Sequence, residues 1–162
     1  MNPCVHEIRS FLIILRRVLI QTAFVVIVLP SVVSADGQDA IDYREHIMNT
    51  LNEQAGALGQ ILAGSIPGDN TAAHLNAIAL TAQMALKAFE PKVLGGEAKP
   101  EVWLNWADFS KRMNEFARKS AEAAAMAKQK RYDDPLLGEK IIDALSCKSC
   151  HDTYRNETKK QS

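Results

Sequence analysis

Residues 100–127 read PEVWLNWADFSKRMNEFARKSAEAAAMA, and this stretch decides the fold class. Trp103, Trp106, Ser110, Met113, Ala117, Ser120, Ala124 and Ala127 follow one another at alternating spacings of three and four. That period stacks them on one face of an α-helix. Pro100 suits the first turn, where a missing N–H leaves no intrahelical bond unmade. From Asp39 onward the chain shows no β-type alternation.

Working outward, the same punctuation predicts three more helices. The first runs from about Asp39 to Ala63, is ended by Gly64 with Pro67-Gly68 beyond, and carries Arg44, Met48, Leu51, Ala55, Leu58 and Leu62 on one face. The second opens near the cap candidates Asp69-Asn70-Thr71 and is stopped by Pro91; its stripe is Leu75, Ile78, Ala82, Ala85 and Phe89. Pro91 to Pro100, with Gly95-Gly96 inside it, reads as a loop. The fourth helix begins at Asp134-Pro135 and runs to about Asn156, with Lys159 and Lys160 placed to meet its C-terminal dipole. Helices of roughly 20 to 28 residues with connections of about 5 to 10 predict an all-α, antiparallel up-down-up-down four-helix bundle. Many seam positions are Ala, Gly or Ser, so the interior has room for a group that is not a side chain.

The chain has 162 residues, 19 basic and 19 acidic, and is 47% hydrophobic, which suits one globular domain. Zero net charge argues against a nucleic-acid partner held by bulk electrostatics. Three cysteines exclude a disulfide-dense scaffold. Residues 1–35 are distinct: Arg9, Arg16 and Arg17 precede an apolar run from Val18 to Val33, Pro30 breaks it, and Val33-Ser34-Ala35 offers small residues for cleavage. This is the layout of a secretory signal peptide cleaved after Ala35, with an uncleaved membrane anchor as the alternative. Cleavage removes Cys4, three Arg and one Glu, leaving residues 36–162 as a 127-residue four-helix domain of net charge −2.

The chemistry concentrates in Cys147-Lys148-Ser149-Cys150-His151, a C-x-x-C-H motif that reads as covalent haem attachment. On a helix, positions i, i+3 and i+4 share a face, so two thiols can add across the haem vinyl groups while the imidazole lies beneath the iron. A redox dithiol normally follows a strand, and none is predicted. Tetrahedral zinc lacks a fourth ligand nearby, and a Cys147–Cys150 disulfide within a helix is strained. One motif implies one haem c.

Cys147 to Arg155 reads C-K-S-C-H-D-T-Y-R, which resembles the C-terminal C-K-x-C-H-x-x-Y-R signature of the cytochrome c′ and cytochrome c-556 family. Tyr43-Arg44 with Met48, and Lys99-Pro100-Glu101-Val102-Trp103, resemble that family's first and third helix starts, so the likeness covers about Ile41 to Lys159. It implies a four-helix bundle carrying covalent haem, with His151 as proximal ligand. Met48 then matches the position that supplies a methionine ligand in c-556 proteins, while an unligated core methionine is the other reading. The likeness also implies a propionate contact for Arg44, against a solvated helix-end arginine. Arg155 is placed at the proximal pocket, or else at a propionate or the helix terminus.

His46 and His74 read as surface residues. Met84, Met113 and Met126 read as core, as do Trp103, Trp106, Phe109 and Phe116. The favoured function is a periplasmic electron carrier with His151–iron–Met48 ligation, and the alternative is a five-coordinate protein binding nitric oxide or carbon monoxide. No base–nucleophile pair suggests an enzyme, and the redox partner is not identified. The likeness implies a homodimer through the first two helices, where Ala55, Gly56 and Gly59 permit close approach or face the core.

Overall fold

A proline-free run from Gly37 to Leu62 winds into the first helix, α1 (Gly37–Leu62). The computed structural model describes residues 37–129 and 132–156; the expected signal segment at residues 1–35 lies outside them, as do Lys159 and Lys160. The later elements are α2 (Thr71–Ala85), α3 (Glu101–Leu104), α4 (Trp106–Ala127), α5 (Pro135–Ala144) and α6 (Cys147–Tyr154). No strand forms among the described residues. They make a four-helix bundle whose third and fourth rods are each broken in two. None of the described helices is long and apolar enough to cross a membrane.

The buried face of α1 is Ala40, Arg44, Ile47, Leu51, Leu58 and Ile61, and Leu62 is 43% exposed. The expected stripe is thus correct at Arg44, Leu51 and Leu58 and shifted by one position elsewhere. The reason lies in the packing. α1 lies along α2, α2 along α4, and α4 along α5, whereas α1 has no comparable contact with α5 or α6. Ile47 and Ile61 are buried in the core, while half-buried Met48 and Ala55 line a cavity.

α2 buries Leu75, Ile78, Ala82 and Ala85, with Phe89 buried just beyond, as the stripe predicts, and also Ala79 and Thr81, because it has a neighbour on each side. Its start differs from the sequence pattern. A 3-10 turn over Gly68–Asn70 precedes it, and the Thr71 hydroxyl donates to the Gly68 carbonyl at 2.7 Å. Before Pro91 the helix tightens into a second 3-10 turn, Leu86–Phe89.

The third rod breaks at Asn105, whose φ of −113° and ψ of 41° are not helical. Asn leaves helical geometry readily. The expected seam survives at Met113, Ser120 and Ala124, with Phe109 and Ala123 joining it and Trp103 and Trp106 half-buried. The predicted continuous fourth helix is likewise corrected. Asp134 caps α5 by accepting from the Leu136 amide at 2.9 Å, with Pro135 in the first turn. The chain then leaves helical geometry at Leu145 and Ser146, where the Cys147 amide donates to the Leu145 carbonyl at 2.7 Å. α6 ends at Tyr154 rather than Asn156, because Arg155 turns extended and pairs with Ala98.

That pairing makes residues 93–99 a strap. The Lys99 amide donates to the Tyr154 carbonyl at 2.9 Å and the Asn156 amide to the Glu97 carbonyl at 2.8 Å. Gly96, at φ +57°, lets the strap lie flat on α1, since a Cβ there would strike the Ile41 and Glu45 side chains. On the other side, the Tyr154 hydroxyl donates to Asp108 Oδ2 at 2.5 Å, fastening α6 to α4. The same carboxylate accepts from Arg112 Nε at 2.7 Å, and the two bonds hold it below the usual carboxylate range.

Two predictions follow from these contacts. Leu137 is fully buried on α5 and Ile142 is 70% exposed. Leu137→Ala should cost about 2–5 kcal/mol, and Ile142→Ala should stay within about 0.5 kcal/mol, both read from urea unfolding. The bond to Asp108, reinforced by burial, pushes the Tyr154 hydroxyl up to about 12, against about 10 for an unfolded tyrosine. Between those values the folded state holds the proton that the unfolded state has lost. This contribution is therefore complete below about pH 10 and disappears as pH rises toward 12. The urea midpoint should fall across that window, and Tyr154→Phe should flatten the fall.

Candidate haem site

Cys147, Cys150 and His151 occupy the first two turns of α6 and all line one cavity. The thiols are free, Cys147 exposed and Cys150 half-buried, with no disulfide between them. Partial burial pushes both thiols up, so each is a protonated S–H at neutral pH. Burial, aided by the Arg155 charge, lowers His151, which favours the neutral imidazole that a metal needs.

The cavity has a volume of about 650 Å³ and lies between α1, α4 and α6, within the range of small-molecule sites. Met48 faces it from α1, Met113 and Phe116 from α4 and Phe89 from the end of the second rod. It occupies the gap left because α1 and the fourth rod do not pack together. Small side chains at Ala55, Ala98 and Ala144 keep its walls apart.

The residues fit a covalent haem on three counts. Two unpaired thiols and an imidazole share a helix face, the cavity is of ligand size, and a buried polar atom at its edge lacks a protein partner. That atom is Arg44 Nε. Arg44 is only 2% exposed, so it is not a solvated helix-end arginine. Its Nη1 donates to the Val93 carbonyl at 2.9 Å and its Nη2 to the Gly95 carbonyl at 2.6 Å. The guanidinium lies 5.3 Å from the Trp103 ring centroid and 6.0 Å from that of Phe89, within cation–π range. Burial makes the guanidinium easier to deprotonate than an ordinary arginine, although arginine keeps its charge in proteins. Two of its donor nitrogens thus serve the strap, and Nε remains for an acceptor such as a propionate.

Arg155 also lines the cavity, with its Nε 2.7 Å from Glu97 Oε2. Met48 is half-buried against the core and shares the cavity with His151. The expected surface histidines lie off the cavity. His46 is exposed, and His74 Nδ1 is hydrogen-bonded to Gln54 Oε1 at 2.8 Å. Met113 and Met126 join the core as expected, but Met84 is 47% exposed and the core assignment there is corrected. Ile78 and Ala85 of α2 take the buried directions, leaving Met84 on the outer face. Sequence reasoning missed Glu97, Asp108 and Arg112. Only the Asp108–Arg112 spacing of four carried a signal, and it is shared by any surface helix pair.

The family model described as Cytochrome C′ matches residues 39–155. A curated cytochrome c′ from Alcaligenes xylosoxydans xylosoxydans is 30% identical over 125 residues, covering 76% of this chain and 98% of the relative. Among solved structures, the nitric oxide complex of a mutant cytochrome c′ from Alcaligenes xylosoxidans superposes with a TM-score of 0.69 at 28% identity, covering 76% of this chain and 99% of that one. A carbon monoxide-bound variant of the same protein gives 0.68 at 28% identity, covering 76% and 98%. With the helix order, the C-terminal attachment motif and the cavity all in place, the chain belongs to the cytochrome c′ family, c-type cytochromes with one covalently bound haem c.

Proposed function

We propose that this protein is an exported, periplasmic gas-binding cytochrome c′, holding its haem iron on His151 and leaving the opposite axial position for nitric oxide or carbon monoxide. The observation that carries this reading is the cavity itself: His151 on one wall, an apolar group of Leu51, Ile78, Phe89, Met113 and Phe116 elsewhere in a lining that also holds charged residues, and no second imidazole among the residues lining it. The nitric oxide and carbon monoxide complexes of similar proteins support it. Haem held here would supply an iron able to bind a neutral diatomic gas.

The chain's own residues do the rest. Cys147 and Cys150 would hold the haem covalently, each free thiol being able to add S–H across a vinyl C=C bond, sulfur to one carbon and hydrogen to the other, to give a thioether. His151 presents an uncharged imidazole nitrogen. Arg44 Nε is placed for a propionate, a charge-assisted contact. Leu51, Ile78, Phe89, Met113 and Phe116 bring no hydrogen-bond donor to the cavity. On those apolar side chains a neutral diatomic loses little on entering, while Lys111, Arg112 and Lys119 line other parts of the same cavity. Binding and release, without turnover, make this a carrier or buffer rather than an enzyme.

The placement of Met48 favours a second reading, low-spin electron transfer with a thioether as sixth ligand, because it lines the same cavity as His151. A visible spectrum separates the two. The gas-binding reading expects broad high-spin bands in the reduced protein and a prompt carbon monoxide adduct. Met48→Leu conserves volume and should cost less than about 1.5 kcal/mol; it should leave the spin state unchanged. Sharp low-spin bands that become high-spin on Met48→Leu would establish the electron carrier instead. Mass spectrometry should find one haem-sized increment on the peptide bearing Cys147 and Cys150.

A further inference from the structure

We propose that Glu97 is a positioning residue: it holds the Arg155 guanidinium against the strap and so sets how close this cation comes to His151. The inference rests on His151 being the proximal residue and is independent of what Met48 does.

Three observations carry it. Glu97, His151 and Arg155 line the same cavity, which puts the ion pair at the site that holds the imidazole. The backbone at this point is secured without the pair. Ala98 bridges Arg155, the Asn156 amide donates to the Glu97 carbonyl, and the Lys99 amide donates to the Tyr154 carbonyl. The 2.7 Å contact between Arg155 Nε and Glu97 Oε2 therefore decides where the side chain sits, not whether the strap forms. Third, neighbouring cations have other partners: Arg44 the Val93 and Gly95 carbonyls, Arg112 Asp108, Lys148 Asp152, and Lys99 the Asp152 carbonyl. Arg155 is held by a single carboxylate.

The pair is about 40% exposed on each side, a setting in which ion pairs contribute little to stability. It is thus suited to placing a charge and poorly suited to holding the fold. The two charges have opposite sign and both line the cavity that holds His151. Separating them changes the field at the imidazole. A guanidinium released from Glu97 and free to approach the cavity favours the less positive, reduced iron.

The experiment is a double-mutant cycle on the haem-loaded protein, read by the midpoint potential in a spectroelectrochemical titration. Glu97→Gln should shift the reduction equilibrium toward the reduced form by roughly three- to tenfold, tenfold being about 59 mV for one electron. The shift should be clearly smaller when Glu97→Gln is made in an Arg155→Gln background, and Glu97→Asp should recover most of the wild-type value. An equal shift in both backgrounds would mean that Glu97 acts only as a fixed distant charge, and the proposal would be overturned. The Arg155 Nε–H resonance gives a readout independent of the haem electronics and should exchange faster with solvent in Glu97→Gln. Failure of the proximal reading is seen separately, as an unchanged haem spectrum in His151→Ala.

Discussion

The haem wall of this protein depends on one buried cation. Arg44 has lost almost all of its water, and no carboxylate replaces it. Two backbone carbonyls of the strap and the faces of Trp103 and Phe89 take that place. Because a buried guanidinium left without acceptors costs several kcal/mol, on the order of a small domain's whole stability, the strap is bound to α1 as firmly as Arg44 is buried. Trp103 adds a second tie by donating its indole N–H to the Phe89 carbonyl at 2.9 Å. From the same strap, residues 97–99 reach α6 and hold its C-terminal end. A side chain on the first helix thereby secures the strap that, with the Tyr154–Asp108 bond, holds the helix carrying Cys150 and His151.

This arrangement accounts for the cavity. A four-helix bundle of ordinary side chains would close α1 against the fourth rod. Here the strap and the Tyr154–Asp108 bond support α6 from its C-terminal end and from α4, so α1 can stand apart. The break at Leu145 and Ser146 belongs to the same solution, because α6 is oriented by its own contacts rather than by the axis of α5. Ser120 remains a buried hydroxyl with no protein partner, for which the packing offers no account.

Much of this was legible in the residues. The α2 stripe is buried as its period requires, and the caps at Asp134-Pro135 act where local chemistry places them. The attachment motif needs only helical spacing, so its geometry could be read before any packing was known. The misreadings share a cause. Leu62, Met84 and the unbroken third and fourth rods are places where the local period is satisfied by two neighbouring directions, and only the positions of adjacent helices select one. Glu97 and Asp108 were missed because a single carboxylate in a loop or at a helix start looks like any solvated charge until its partner, more than 40 residues away, is brought to it.

The class of fold and the covalent cofactor could be read from the residues alone, since helical period and a five-residue motif are local properties. Tertiary structure alone decided that Arg44 is buried and serves the strap, that Arg155 is held by Glu97, and that Met48 faces the cavity while Met84 does not. Each depends on which distant groups share a volume from which water has been removed, and the strength of a charge or hydrogen bond is set by that exclusion.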